Sequence, residues 1–339
     1  MISLMQDPKQ RYYYRLLSDD NKRLYDTILS AWLKMDKDVT LPPCSASDIH
    51  RIVDYIRLDI PDLFYVDFTK GCSLSAGKKK IVLAVEFIYK EAQIEAIRQQ
   101  VEAAIAKFVD KCAIKSISSK WERELAAHDY LAGTTKYRKE KSPNSHTIIG
   151  ALLDGYAVCE GYAKAFKLLC DRTGILAAIV SGIGYGGTSD NDEPESHAWN
   201  IVKIGAEYAH VDVTWDSTIS TSSDIFHDYF NLKDEEIMKD HEWDRTLLPK
   251  CASDSLGYYH RKGSIITGRR GFEQCIMQQI KSGNPSFQVK FNRDFRDGEE
   301  IAKLVVSILR KVPALKARQT YGATVRYNDK QRVASITIT

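Results

Sequence analysis

A helix that begins at a cysteine and runs straight into three strand-like segments constrains this chain more than any other feature. The segment Ala157-Val-Cys-Glu-Gly-Tyr-Ala163 opens it, and Tyr162, Ala163, Phe166, Leu169 and Cys170 then recur at helical spacing until Gly174 supplies a stop. Ile175 to Ser181 is a β-branched, apolar run that reads as a strand. Ala198 to Ile204 and Glu207 to Trp215 read as two more, joined by a tight turn at Gly205-Ala206. The expected fold class is α+β, with a helix that starts at or next to Cys159 and an antiparallel strand pair after it.

Three residues on these elements carry chemistry. Cys159 stands at a helix start, where unpaired backbone N–H groups and the positive end of the helix dipole favour a thiolate. His197, in Ser196-His-Ala-Trp-Asn-Ile-Val202, opens the first strand of the hairpin, and Asp212, in His210-Val-Asp-Val-Thr-Trp-Asp216, lies inside the second. The turn at Gly205-Ala206 folds His197 back towards Asp212. A thiolate is the nucleophile for acyl chemistry, an adjacent imidazole both creates it and protonates the leaving group, and a carboxylate orients that imidazole. Taken singly, each has a plainer reading: a small buried hydrophobe, a strand cap and a backbone acceptor. Trp199 and Trp215 flank the site as core packing or as a substrate wall. Tyr185 sits on a Gly-rich loop that borders the same cleft.

The order C-E-G-Y-A, H-A-W-N-I-V and V-D-V-T-W-D resembles the transglutaminase-like (papain-related) cysteine enzyme superfamily, more closely its bacterial branch. The resemblance covers roughly residues 118 to 251, including Ala127-His-Asp-Tyr-Leu131 and the tail Asp228-Tyr-Phe-Asn-Leu-Lys-Asp234 with His241 and Pro249. It implies a papain-like core with Cys159 as nucleophile, His197 as general base and acid, and Asp212 as orienting carboxylate. The family contains peptidases, glycan-releasing amidases, transamidating enzymes and members that have lost catalysis. The expectation is a cysteine peptidase, amidase or protein transamidase working through a thioester on a protein or peptide substrate. A catalytically silent module that binds a protein or glycan partner stands as the alternative.

Composition narrows the classes. The 339 residues are 44% hydrophobic and 27% charged with a net charge of +3, an ordinary globular balance that gives no reason to expect nucleic acid. No run of about 18 apolar residues suggests a membrane span. The start Met-Ile-Ser-Leu-Met-Gln-Asp-Pro does not read as a signal peptide. The seven cysteines form no CxxC and no evident pairs, which points to a reducing, cytoplasmic setting, although a secreted protein already stripped of its signal fits too. Oligomeric state is not legible.

Three regions are expected: an α+β module at 1–117, the catalytic domain at 118–259, and a β-α-β-β region at 260–339. In the first, Ser18 caps a helix, Ser47 caps another through Leu58, Leu63–Phe68 and Lys80–Tyr89 are strands around a Gly71–Gly77 turn, and a helix spans Glu91–Lys115. In the last, Phe287–Phe291, Thr320–Tyr327 and Gln331–Ile338 read as strands and Asp297–Val312 as a helix. Gly182-Ile-Gly-Tyr-Gly-Gly187 matches GxGxxG but runs into a loop instead of a helix, so dinucleotide binding is not expected. Gly71 to Lys78 has the wrong spacing for a phosphate loop. No metal or other cofactor is expected. The one calcium candidate, the acidic loop of Asp190, Asp192, Glu193 and Glu195, lacks the central Gly and distal Glu of an EF-hand and reads as solvated.

Overall fold

The computed structural model describes residues 11–77, 80–139, 142–186, 193–221, 224–311 and 322–339. The first elements are helix α1 (Asp19–Leu33), strand β1 (Asp38–Leu41), helix α2 (Ala46–Asp59), strands β2 (Cys72–Ala76) and β3 (Ile81–Val85), and helix α3 (Glu91–Lys111). Ser18 caps α1 by accepting the Asn21 N–H, and Leu24, Tyr25, Ile28, Leu29 and Trp32 form its buried face. The cap of α2 is Ser45, not Ser47: its hydroxyl accepts the Asp48 N–H at 3.0 Å, while the Ser47 hydroxyl lies beside it. The strands form an antiparallel sheet in the order β1-β3-β2. Cys72–Ala76, expected as a turn, is therefore a strand, and the chain reverses at Gly77, whose N–H reaches the Lys80 carbonyl. Leu63–Phe68 makes only a single bridge, Val66 to Phe87. Leu63, Phe64, Tyr65 and Val66 are all buried, so the run has no alternation by which a strand could be told from a packed turn. Helix α3 stops at Lys111, four residues early, because Ala113 turns into the left-handed region (φ 49°) before a 3₁₀ turn at Ile114–Ser116.

The middle of the chain holds α4 (Lys120–Thr134), short paired strands β4 (Lys136–Tyr137) and β5 (Tyr156–Ala157), α5 (Cys159–Arg172), β6 (Leu176–Gly184), β7 (Glu195–Ile204), β8 (Glu207–Val211), α6 (Val213–Ile219), β9 (Phe230–Leu232), α7 (Asp234–Ile237) and β10 (His241–Trp243). Its antiparallel sheet runs β10-β6-β7-β8-β9. Gly205 takes a positive φ at the β7–β8 turn, which pairs Ile204 with Glu207. His197 is the third residue of β7, not its first. The expected strand to Trp215 ends at Val211, because the Asp212 carboxylate accepts the Thr214 and Trp215 N–H groups (2.9 and 3.2 Å) and so caps α6. One sheet face, with Ile179, Ala198, Val202, Ala209 and Val211, packs on α5 in a hydrophobic core that also takes in α1, α2 and α3. The other face, with Val180, Trp199 and Ile201, packs with Trp215, Tyr229 and Leu232. Burying each Val, Leu or Ile side chain among these contributes roughly 1.5–3 kcal/mol.

The chain ends in α8 (Tyr258–Arg261), β11 (Ile265–Ile266), α9 (Gly268–Lys281), β12 (Ser286–Phe291), α10 (Gly298–Leu309), β13 (Ala323–Asn328) and β14 (Val333–Ile338). The sheet order is β11-β12-β14-β13 over its own core, including Phe272, Ile276, Val289, Ile301, Val305 and Ile336. Helix α9 escapes the sequence reading because Phe272 and Ile276 are its only buried apolar positions. Val312 and Thr320 lie outside the described residues. The β13–β14 hairpin touches the middle region through Arg326, which grips the buried Asp228 carboxylate with both guanidinium arms. No described helix is long and apolar enough to cross a membrane.

Candidate active site

Cys159 is the first residue of α5, half-buried, with Val158 in extended backbone as the cap. The Tyr162 N–H is bonded to the Val158 carbonyl, so the amides of residues 159–161 precede the helical ladder at the positive end of the helix. Gly161 allows this start to press on the loop before it. A Cβ there would run into the Ser145 carbonyl oxygen and come within 2.9 Å of Ala157 Cβ. Glu160 fastens the start further, its carboxylate meeting Arg57 of α2 (2.8 Å), Lys164 (2.9 Å) and His146 (3.2 Å). Burial alone would raise its pKa, but Lys164, His146 and Arg57 outweigh burial and hold it well below the usual carboxylate range.

Strand β7 brings His197 to the thiol. The Asn200 amide donates to the Ala163 carbonyl at 3.0 Å, tying the strand to α5. His197 Nε2 lies 2.7 Å from Asp212 Oδ2, which leaves Nδ1 as the remaining ring nitrogen, and Cys159 is near enough to add to the electrostatics of the same imidazole. Burial pushes the His197 pKa down, yet the Asp212 charge and hydrogen bond, followed by Cys159, lift it to about 10. Asp212 is fully buried, and burial would raise its pKa. The charge and hydrogen bond of His197 and the hydrogen bond of His241 reverse this and hold it well below the ordinary value. An imidazolium beside a thiol is the electrostatic condition for a reactive thiolate. The structure thus pairs His197 with Asp212 and sets Cys159 at the start of α5, where it acts on the same imidazole.

The neighbouring aromatics divide. Trp199 is buried, its ring stacked on His197 at 5.8 Å, and its indole N–H donates to His210 Nδ1 at 3.0 Å. Trp215 lies 5.5 Å from the His197 ring, on α6 and not on a strand. Trp215 and Tyr185 both line a cleft of about 570 Å³ whose far wall is Arg326, Asn328, Asp329 and Lys330 of the C-terminal hairpin. The Tyr185 hydroxyl donates to Glu242 at 2.7 Å.

His241, left without a role by the spacing of the motifs, also donates from Nε2 to Asp212 Oδ2, at 3.1 Å. The only sequence signal for it is its place in the tail that follows the motifs. Three groups of ligand-type side chains converge among the described residues: His128, Asp129 and His227; His197, Asp212 and His241; His210, Asp234 and Cys251. In the first, Asp129 Oδ1 meets His128 Nδ1 at 2.9 Å and His227 Nε2 at 2.8 Å. In the third, the Trp199 donor requires a lone pair on His210 Nδ1, so Nε2 carries the hydrogen that faces Asp234. Asp190 and Asp192 of the acidic loop lie outside the described residues, and Glu195 is paired with Lys139 at 2.8 Å. Gly182 and Gly184 end β6, and the next described element is β7, with no intervening helix among the described residues. Gly182 serves packing, since a Cβ there would strike the Glu242 carbonyl oxygen and the Trp199 ring.

Residues 107–213, which hold Cys159, His197 and Asp212, match the sequence model of the transglutaminase-like superfamily. The match covers about a third of a mixed helix-and-sheet chain. One similar solved structure is described as a TGase, with 14% identity over 52% of this chain and 50% of that one and a TM-score of 0.28. Another, "a Putative Cysteine Protease from Cytophaga hutchinsonii", aligns at 14% identity over 42% of this chain and 61% of its own, with a TM-score of 0.27. The chain thus spans less than two thirds of either. No curated protein matches it in sequence.

Proposed function

We propose that this chain is a thiol-dependent enzyme that opens an amide bond through a Cys159–His197–Asp212 triad. The observation that carries the reading is the buried His197 bonded to the Asp212 carboxylate, with the Cys159 thiol at a helix start acting on the same ring. The Cys159 thiolate attacks the carboxamide carbon, and the oxyanion that forms is stabilised by N–H groups at the start of α5. His197 passes its Nδ1 proton to the departing nitrogen as the C–N bond breaks, leaving a thioester on Cys159. Water, or an amine, then attacks the thioester carbonyl. His197 takes up the nucleophile's proton, the C–S bond breaks, and the thiolate–imidazolium pair is restored. Asp212 holds Nε2 throughout and keeps the ring oriented.

A peptide or peptide-like amide would lie along the cleft bounded by Tyr185, Trp215 and the C-terminal hairpin. Hydrolysis is preferred over transfer, because no feature among the described residues of that cleft marks a dedicated amine site. Incubation with a glutamine-containing casein and a labelled primary amine tests both branches, with Cys159→Ala as control. Cleavage or deamidation without label supports hydrolysis, whereas Cys159-dependent incorporation of label overturns that preference. An inert Cys159 that gives neither product would leave the silent binding module.

A further inference from the structure

The Asp212 carboxylate is held from two directions. Oδ1 takes the Thr214 and Trp215 N–H groups, while Oδ2 takes two imidazoles, His197 Nε2 at 2.7 Å and His241 Nε2 at 3.1 Å. His241 reaches Asp212 from β10, an element that carries none of the triad residues, and its backbone pairs with Gly184 of β6. Its side chain is fully buried against Trp215 (4.2 Å between ring centroids), Trp199 (4.8 Å), His197 (5.4 Å) and Tyr229 (5.8 Å). Its other nitrogen, Nδ1, is 2.7 Å from Asp240 Oδ1. Asp240 is in turn held through Oδ2 by the Tyr229 hydroxyl (2.8 Å) and by the side-chain amide of Gln331 (3.4 Å), which belongs to the C-terminal hairpin turn. The neighbouring charges are turned elsewhere: Glu242 accepts from Tyr185, and Lys239 donates to the Lys330 carbonyl. The titratable groups facing His241 are therefore Asp212, Asp240, His197 and Tyr229, together with His210, whose charge it feels.

We propose that His241 is a positioning residue of the thiol site, fixing the Asp212 carboxylate so that His197 is held square to Cys159, with Asp240 and Gln331 as its anchor in the C-terminal region. The proposal rests on the triad reading. It follows from how a carboxylate moves. With Oδ1 tied to two amides, the remaining freedom is a tilt of Oδ2, and a second donor on that oxygen, itself locked between aromatic rings and a second carboxylate, removes the tilt. A second histidine partner of this kind acts through Asp212 without touching substrate.

The test is the pH profile of Cys159 alkylation by iodoacetamide, followed in the full chain by peptide mass spectrometry, with circular dichroism to confirm folding. The wild type is expected to react at a nearly constant rate from about pH 5 to 8, as a thiolate–imidazolium pair should. His241→Phe keeps a flat ring in the cage but removes the donor. It should lose at least tenfold in rate at pH 5 relative to wild type and recover as pH rises towards 8.5. His241→Gln, which retains a donor, should stay within threefold of wild type. If His241→Phe does not fold, Asp240→Asn loosens the same anchor from behind and should lower the pH 5 rate at least twofold. Profiles for His241→Phe and Asp240→Asn that coincide with wild type would overturn the positioning role while leaving the triad intact. A wild-type Cys159 no more reactive than Cys112 would instead overturn the triad reading itself.

Discussion

Replacing Asp212 by asparagine separates the charge of that residue from its structural duty. Asparagine caps a helix about as well as aspartate, so the bonds from Thr214 and Trp215 should survive and α6 should still form. What changes is the face towards His197. An amide NH₂ placed where Oδ2 stood would donate to Nε2, forcing the ring hydrogen onto Nδ1, the nitrogen that must accept the thiol proton. The charge effect can be sized. His197 rises from the ordinary 6.5 to about 10 despite burial, and Asp212 supplies the largest favourable contributions. A rise of about 3.5 units is worth roughly 5 kcal/mol of preference for the imidazolium, and most of it should vanish with the carboxylate. Buried and without its carboxylate, the ring should then titrate at or below 6.5. NMR of ¹⁵N-histidine-labelled protein reads this directly: wild-type His197 should remain doubly protonated to about pH 9, and the Asp212→Asn ring should be neutral by pH 7. A variant ring that still titrates near 10 would refute the reasoning, because something other than Asp212 would then be holding the proton.

Two further outcomes follow from groups around the site. Glu124 is fully buried, with Oε2 accepting from Asn231 at 3.1 Å and Oε1 without a hydrogen-bond partner, and burial raises its pKa to about 8 against the opposing pull of Asn231 and His128. A carboxyl raised in the fold binds its proton more tightly than in the unfolded chain, so it costs stability as pH climbs from about 4.5 through 8. Glu124→Gln should therefore gain on wild type in urea denaturation by an amount that grows from pH 5 to 8, reaching a few kcal/mol, and a pH-independent difference would count against it. Gly161→Ala should destabilise by about 1–3 kcal/mol, because overlap with the Ser145 carbonyl outweighs the roughly 1 kcal/mol gain in helix propensity. A variant more stable than wild type would show that the 142–147 loop yields freely.

How much of this was legible in sequence depended on whether a residue's role was local. The helix from Cys159 was readable because its apolar period and the Gly174 stop are both local signals, and the three strands β6, β7 and β8, with the β7–β8 hairpin, were readable from β-branched, apolar runs and one Gly turn. The end of β8 was not, because Asp212 looks like part of a strand until its side chain is seen to cap α6. The same carboxylate oxygen pair thus stops a strand and holds a histidine, a double duty that spacing does not encode. His241 and the Arg57–Glu160 pair were invisible for a different reason: their partners are 29 and 103 residues away. The strand at Cys72–Ala76 was masked by its small and polar residues, which β3 recruits by pairing and not by propensity.

The central claim is that Cys159 is a poised nucleophile, and its rate of alkylation relative to the other thiols at pH 6 tests this most directly. Cys112 and Cys275 are half-buried like Cys159, and burial raises the pKa of both, so accessibility alone would not separate the three strongly. Limited iodoacetamide followed by peptide mass spectrometry should label Cys159 at least tenfold faster than either, and labelling should slow sharply in His197→Ala. Equal labelling of the three thiols at pH 6, or a rate at Cys159 that His197→Ala leaves unchanged, would contradict the account.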